Sequence, residues 1–133
     1  TLCLIGVGLP GLITKEGNLT EDPVNIRGLS QINIKKTVID KFNVETSLAN
    51  DVNMATFAEY RVGSGKAYSS IVCLALGTGI GGGIVLDNRL YIGVSGIAAE
   101  LGHIVVQPGG RKCSCHLNGC VEAYASASGI ARS

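Results

Sequence analysis

The 133-residue sequence has little charge, and its charges nearly cancel. It contains 11 Lys and Arg against 10 Asp and Glu, which gives a formal net charge of +1. An excess of basic residues, which drives nucleic-acid binding through counterion release, is therefore absent. Charged residues form 16% and hydrophobic residues 46% of the chain, so the composition is not that of a disordered segment. The length predicts about one small domain.

The sequence also lacks an internal repeat, a low-complexity tract and the features of a secretory signal peptide. The uncharged run over residues 69–86 includes Gly81, Gly82 and Gly83 in succession. This run therefore favours two buried strands joined at a turn over a membrane span. Because the chain begins at Thr1, directly in an apolar run, we expect it to be a piece of a longer protein.

Glycine, by contrast, is abundant, with 19 residues in the chain. That is about twice its average usage. Strand-like and helix-like apolar patterns alternate along the sequence, which predicts an α/β class with some antiparallel pairing. One predicted helix is capped by Ser30 and ends near Phe42, and others cover residues 52–61, 97–101 and 120–131.

Three of the five cysteines lie within eight residues, and an odd, clustered set does not suit a disulfide framework. Cys113, Cys115 and Cys120, together with His103, form a ligand set typical of tetrahedral zinc. Four protein ligands would fill the coordination sphere, so such a metal would be structural. Two alternatives stay open: loop disulfides, or free thiols with an unrelated histidine. His116 lies in the same loop and could compete as a ligand.

Two glutamates flank this cysteine loop. Glu100 precedes His103 by three residues, and Glu122 follows Cys120 by two. If His103 binds a metal through one ring nitrogen, the other nitrogen needs a hydrogen-bond partner such as a carboxylate or a substrate hydroxyl. The loop could bring both glutamates to one pocket, where paired carboxylates accept hydrogen bonds from a polyol. The alternative is that both are solvated acids at helix starts.

Asn50 and Asp51 end a predicted strand, and ligands of α/β proteins bind at the carboxyl ends of strands. An aspartate there can take a proton from a hydroxyl that the neighbouring asparagine orients. The alternative is that Asp51 is a plain helix N-cap, worth about 1 kcal/mol.

The glycine-rich stretch between residues 77 and 83 could hold phosphate oxygens with backbone N–H groups and a threonine hydroxyl. No Gly-Lys-Ser/Thr follows it, and a strand rather than a helix comes next, so it is neither a Walker A loop nor a dinucleotide fingerprint. The alternative is a tight β-turn without a ligand. The candidate phosphate-binding residues are Gly77, Thr78, Gly79, Gly81, Gly82 and Gly83.

Five motifs, in order along nearly the whole chain, resemble those of the sugar kinases of the ROK family (repressors, open reading frames, kinases). They are Gly6-Val7-Gly8-Leu9-Pro10-Gly11, Asn50-Asp51, Leu76–Gly83, Glu100-Leu101-Gly102-His103 and Cys113–Glu122. One departure is His116, which stands where the family usually has glycine. Glucokinases of the family are the most similar, and N-acetylmannosamine kinases also resemble the chain.

The resemblance implies an actin-like, ribonuclease H-like ATPase fold with two lobes and with sugar and ATP in the cleft. Residues 1–65 would be the C-terminal part of the small N-terminal lobe, and residues 66–133 the N-terminal part of the large lobe with the zinc loop. Gly63-Ser64-Gly65-Lys66 is a plausible linker between them. Because the family's first phosphate motif and its adenosine site would lie outside the chain, we expect this fragment alone to be inactive.

The resemblance also implies roles for single residues. Asp51 would be the general base for transfer of the ATP γ-phosphate to a hexose hydroxyl, O6 of glucose being favoured. The implied sugar-binding residues are Asn25, Asn50, Asp51, Glu100, His103 and Glu122. Magnesium would accompany ATP, zinc would lock the sugar-binding loop, and the full protein would be a cytoplasmic homo-oligomer.

Two other functions compete with the kinase. A sugar-sensing transcriptional repressor of the same family would share the zinc and sugar motifs and carry a helix-turn-helix upstream; Asp51 and the intact glycine stretch favour the kinase. A small zinc-bound interaction module is the third, with Arg111-Lys112 as its only basic patch.

Overall fold

The chain alternates strands and helices in a computed structural model that describes residues 2–14, 16–23 and 26–132. Its contacts divide it into two compact units, Thr1–Ala55 and Thr56–Ser133. The division falls within a helix, whereas the sequence places a linker after residue 62. The assignment of the two halves to lobes stays a prediction.

The first unit is built on two parallel strands. Strand β1 (Ile5–Leu9) pairs with β2 (Thr46–Asn50), and helix α1 (Ile34–Phe42) lies between them in the chain. The register pairs Leu9 with Asn50, so both strands end at the same edge. Helix α2 (Asp51–Arg61) begins there directly. This edge is where the carboxyl ends of parallel strands present ligand-binding residues.

Helix α1 begins later than the sequence predicts. Its N-cap is Asn33, whose side chain accepts a hydrogen bond from the Lys36 N–H at 2.8 Å. The predicted cap Ser30 lies instead in a short 3-10 turn (Leu29–Gln31). The Ser30 hydroxyl and N–H both donate to Asp22 Oδ1, at 2.7 and 2.8 Å. Helix α1 begins four residues after Ser30, too far along the chain for that serine to cap it.

The second unit contains an antiparallel sheet of β3 (Ile71–Leu76), β4 (Ile80–Leu86) and β5 (Arg89–Leu90). Strands β4 and β5 are joined by Asp87 and Asn88, which have φ values of 47° and 66°. Two consecutive residues with positive φ form the tight hairpin turn that suits the right-handed twist of the strands.

The predicted last helix over residues 120–131 is wrong, because the segment forms two short helices, α3 (Glu122–Ala125) and α4 (Ala127–Ile130). Ser126 between them is extended, and its hydroxyl accepts a hydrogen bond from the Gly129 N–H at 2.9 Å. A serine that caps a new helix ends the preceding one. The helix predicted over residues 97–101 is also wrong, since only a 3-10 turn at Leu101–His103 forms there.

In the second unit, the buried hydrophobic residues that the structure describes lie at β4 and at the cysteine loop: Ile80, Val85, Cys113 and Cys120 are each at most 6% exposed. Helix α2, with eleven residues, is the longest, and none of the described helices has the length and hydrophobicity of a membrane span.

We expect Asn33→Ala to lower the free energy of unfolding of the full-length protein by about 1 kcal/mol, because it removes the acceptor for the Lys36 N–H. Urea unfolding measures the change. The matched control is Asn43→Gly at the other end of α1, where φ is 50°, a conformation that glycine adopts without strain. That control should not lose stability. Equal stability of wild type and Asn33→Ala would contradict the assigned cap.

Candidate functional site

The predicted metal-ligating residues come together in the second unit. The ligand atoms of His103, Cys113, Cys115 and Cys120 all lie within 4.8 Å of one another, and all the cysteines are free thiols. Cys115 Sγ lies 3.6 Å from Cys120 Sγ, and Cys113 Sγ lies 3.5 Å from His103 Nδ1. Tetrahedral zinc with its usual bond lengths would require separations of about 3.8 Å and 3.6 Å. The four side chains therefore fit a zinc ion.

The loop that carries the cysteines is tightly folded. The Cys113 N–H donates to the Leu117 carbonyl at 2.8 Å, which closes a turn over the second cysteine. His116 in this turn has a φ of 70°, the conformation that glycine adopts most easily, and its side chain is exposed outside the cluster. Gly119 has a φ of 87°, and a Cβ there would collide with the Gln107 carbonyl. The loop thus holds a histidine in a backbone conformation that favours glycine.

The thiols differ in acidity. Burial raises the pKa of Cys120 to about 12, with the nearby thiols acting in the same direction. The Leu117 N–H is the main cause that holds the pKa of Cys115 below its usual value. Since cysteine binds metals as the thiolate, a metal that enters this cluster must displace the Cys120 proton.

Glu122 joins the cysteine loop to the glycine-rich turn. Its Oε2 accepts a hydrogen bond from the Ile80 N–H at 2.9 Å, and its Oε1 accepts one from the Ser114 hydroxyl at 2.9 Å. Burial raises the pKa of this carboxyl. The two donors, the His103 ring and Cys113 lower the pKa by more than burial raises it, so the net pKa lies below the usual value. Glu122 is thus a fixed carboxylate, in contrast to the solvated acid that the sequence left as an alternative.

The glycine-rich stretch divides into two parts. Gly77, Thr78 and Gly79 form the turn between β3 and β4. Among the described residues, no carbonyl accepts the N–H groups of Thr78 and Gly79. A Cβ at residue 79 would collide with Glu122 Oε2. The Glu122 carboxylate can therefore lie against the backbone of the turn only because Gly79 has no side chain. The turn has the exposed donors that a phosphate group needs.

The other three glycines, Gly81–Gly83, lie inside β4, opposite residues 73–75 of β3. A Cβ at Gly82 would collide with the Ala99 carbonyl, and one at Gly83 with Thr56 Oγ1. At these two positions the missing side chain therefore lets neighbouring segments pack closely on the strand.

Glu100 lies on the other side of His103 from the cysteines. Its Oε2 is 3.9 Å from His103 Nε2, while Nδ1 of the same ring faces Cys113. Glu100 is 60% exposed and His103 28%. One ring nitrogen thus faces the cysteines and the other faces a carboxylate that lies beyond hydrogen-bond distance. A small shift of the Glu100 side chain would give the second nitrogen the partner that a metal-binding histidine has.

In the first unit, Asn50 and Asp51 stand at the shared strand edge. Asn50 Oδ1 accepts the N–H groups of Val52 and Asn53, both at 3.0 Å, and its Nδ2 donates to the Gly11 carbonyl at 3.3 Å. Asn50 therefore supplies the capping acceptor that the sequence alternative gave to Asp51. Among the hydrogen bonds of the described residues, the Asp51 carboxylate accepts the N–H of the next residue, at 2.9 Å, and Asp51 is exposed.

The predicted sites thus fall into two groups. Asn50 and Asp51 belong to the first unit, and the cysteine cluster with its flanking glutamates belongs to the second. Asn25 lies outside the described residues. Sequence reasoning missed Ser114 and the Ile80 N–H. The position of Ser114 between two candidate ligands could have indicated it from the sequence. A backbone donor such as the Ile80 N–H cannot be recognised from residue types.

The chain is similar to sugar kinases and to repressors. A glucokinase from Thermotoga maritima is 39% identical over 128 residues, which cover 96% of this chain and 40% of that protein. A xylose repressor from Bacillus subtilis is 36% identical over 132 residues, covering 98% of this chain and 34% of that protein. An N-acetylmannosamine kinase from Haemophilus influenzae is 36% identical over 126 residues, covering 95% and 42%.

A solved structure shares the fold. A ROK family glucokinase from Streptomyces griseus, in complex with glucose and AMPPNP, is 36% identical with a TM-score of 0.83, covering 99% of this chain and 42% of that one. The predicted fold of the ROK sugar kinases is therefore confirmed, over less than half of their length. The sequence model of the ROK family matches residues 1–133, and the chain belongs to that family.

Proposed function

We propose that the full-length protein is an ATP-dependent hexose kinase, with O6 of glucose as the favoured acceptor. The observation that carries this proposal is the exposed Asp51 carboxylate at the shared edge of β1 and β2. Support also comes from the glucokinases among the relatives, of whose length this chain spans about 40%. Family membership alone does not decide the function, because a repressor is as similar as the kinases are.

In the proposed reaction, Asp51 takes the proton of the sugar hydroxyl as that oxygen attacks the γ-phosphate of ATP. Phosphoryl transfer needs mainly positioning and charge stabilisation from the protein. Asn50 suits the positioning role, because its amide oxygen is already held by two backbone N–H groups. Its side chain can therefore stay in place while the neighbouring carboxylate gains a proton.

The other sugar hydroxyls would be bound by His103, Glu100 and Glu122, with Asn25 as a further contact. The ATP phosphates would be bound at the glycine-rich stretch, and the exposed turn of Gly77, Thr78 and Gly79 is the part best suited to it. The glycines within β4 would contribute mainly by allowing close packing. Magnesium would accompany ATP.

A zinc ion would be held by the cysteine cluster with His103. Bound there, it would supply a structural cross-link of the loop and no reaction chemistry, since all four positions are protein ligands. His103 would then be fixed with its Nε2 on the side of Glu100. A cytoplasmic homo-oligomer stays a prediction.

The second candidate is a sugar-sensing repressor, favoured by the similarity to the xylose repressor of Bacillus subtilis. It would use the same sugar-binding residues without phosphoryl transfer. The two candidates differ in whether the sugar is turned over and in whether a helix-turn-helix precedes the sugar-binding part.

We expect Asp51→Asn in the full-length protein to lower kcat for glucose by about 10²–10⁴-fold, because it removes the general base. The sugar Kd should stay within a few-fold, since asparagine keeps the shape and the hydrogen bonding. Asp87→Asn is the matched control: Asp87 is also exposed, and its φ of 47° suits asparagine. Undiminished turnover by Asp51→Asn would refute the assignment of the base.

We expect Cys115→Ser to lower the zinc content well below one ion per chain, because the metal loses one of its four ligands. Sugar binding should be abolished, because the cysteine loop and His103 are then no longer held together. Elemental analysis and calorimetric titration with glucose measure the two effects. His116→Gly is the control, since that residue lies outside the cluster and its φ of 70° suits glycine. A zinc-free Cys115→Ser protein with unchanged sugar affinity would contradict the role of the loop.

A further inference from the structure

The glycine-rich turn is attached at both ends to the segment that follows the last cysteine. At its far end, the Ile80 N–H donates to Glu122 Oε2 at 2.9 Å. At its near end, the Gly77 carbonyl accepts the Ala127 N–H, also at 2.9 Å. The second contact joins two backbones. The first depends on a side chain, so it holds only while the Glu122 carboxylate keeps its orientation.

That orientation is set by a residue with no assigned role. Ser114 Oγ donates to Glu122 Oε1 at 2.9 Å, an ordinary distance for a hydrogen bond to a carboxylate. The only other side-chain donor to the same oxygen among the described residues is Cys113 Sγ, at 3.7 Å. Sulfur is a weak donor, so the serine hydroxyl is the stronger of the two contacts.

We propose that Ser114 is a positioning residue, whose hydroxyl orients the Glu122 carboxylate and so connects the cysteine loop to the glycine-rich turn. Each carboxylate oxygen accepts a hydrogen bond of 2.9 Å, from two segments 34 residues apart in the chain (80 and 114). Such a two-point contact fixes the rotation of the carboxyl group, which a single hydrogen bond does not. An ordered cysteine loop thereby restrains the glycine-rich turn through the Glu122 carboxylate.

Ser114 is well suited to this role because it is not itself part of the core. It is exposed, whereas its neighbour Cys113 is buried. The Ser114 hydroxyl also lies 3.8 Å from Cys113 Sγ, a long contact to a weak partner. Loss of the hydroxyl should therefore leave the loop folded and act mainly on Glu122. That the turn receives nucleotide phosphates rests on the proposed function, but the connection through Glu122 does not.

The test is amide hydrogen exchange at Ile80 in the full-length, zinc-loaded protein without substrate. We expect Ser114→Ala to speed this exchange about tenfold, because the acceptor of the Ile80 N–H becomes mobile. Ser114→Thr, which keeps a hydroxyl, should restore the wild-type rate. Ser47→Ala, at an exposed serine in β2, is the control and should have no effect. The zinc content should stay the same in all four proteins.

Two results would overturn the proposal. One is an unchanged Ile80 exchange rate in zinc-loaded Ser114→Ala. The other is loss of zinc from that variant, which would make Ser114 a structural part of the metal loop.

Kinetics separate this proposal from the proposed function. If the protein is a sugar kinase, Ser114→Ala should raise KM for the sugar several-fold and leave kcat within about twofold, since Asp51 is untouched. A protein that shows the expected exchange pattern but phosphorylates no sugar would refute the function and retain the connection. A proportional loss of kcat without a change in KM would count against a positioning role.

Discussion

The arrangement of the second unit depends on one carboxylate. Glu122 accepts a hydrogen bond from the cysteine loop on one oxygen and from the first residue of β4 on the other. It begins helix α3, two residues after the most buried cysteine, so its backbone position is set by the cysteine cluster. The cluster, the glycine-rich turn and the short helices therefore form one connected group.

Glycine makes these connections possible. At Gly79 a side chain would meet the Glu122 carboxylate, at Gly82 the Ala99 carbonyl, and at Gly102 the Ile80 carbonyl. Each glycine lets a polar group reach a backbone that a Cβ would screen. The high glycine content thus supports close contacts between the cysteine loop, the segment before His103 and β4, in addition to any ligand that the turn binds.

The sequence predicted the parts that depend on side-chain type and spacing. The three cysteines lie in one tight loop, and His103 joins them from the 3-10 turn at Leu101–His103, since a bridge between Val105 and Cys120 holds the two segments together. Asn50 with Asp51 lies at a strand edge, as the pattern indicated. The prediction from sequence was wrong where neighbouring polar residues compete for the same role. Ser126 caps a new helix within a helical pattern, and Asn33 caps α1 while Ser30 donates to Asp22. It could not give the Ile80 contact, because a backbone N–H leaves no mark in a sequence.

The most direct test of the central claim is an ATP-coupled phosphorylation assay of the full-length wild-type protein. The substrates are glucose, mannose, fructose, N-acetylglucosamine and N-acetylmannosamine. Our account predicts turnover of at least one of these sugars, with glucose favoured. Tight binding of a sugar without any turnover would contradict the account and would make the sugar-sensing repressor the better explanation.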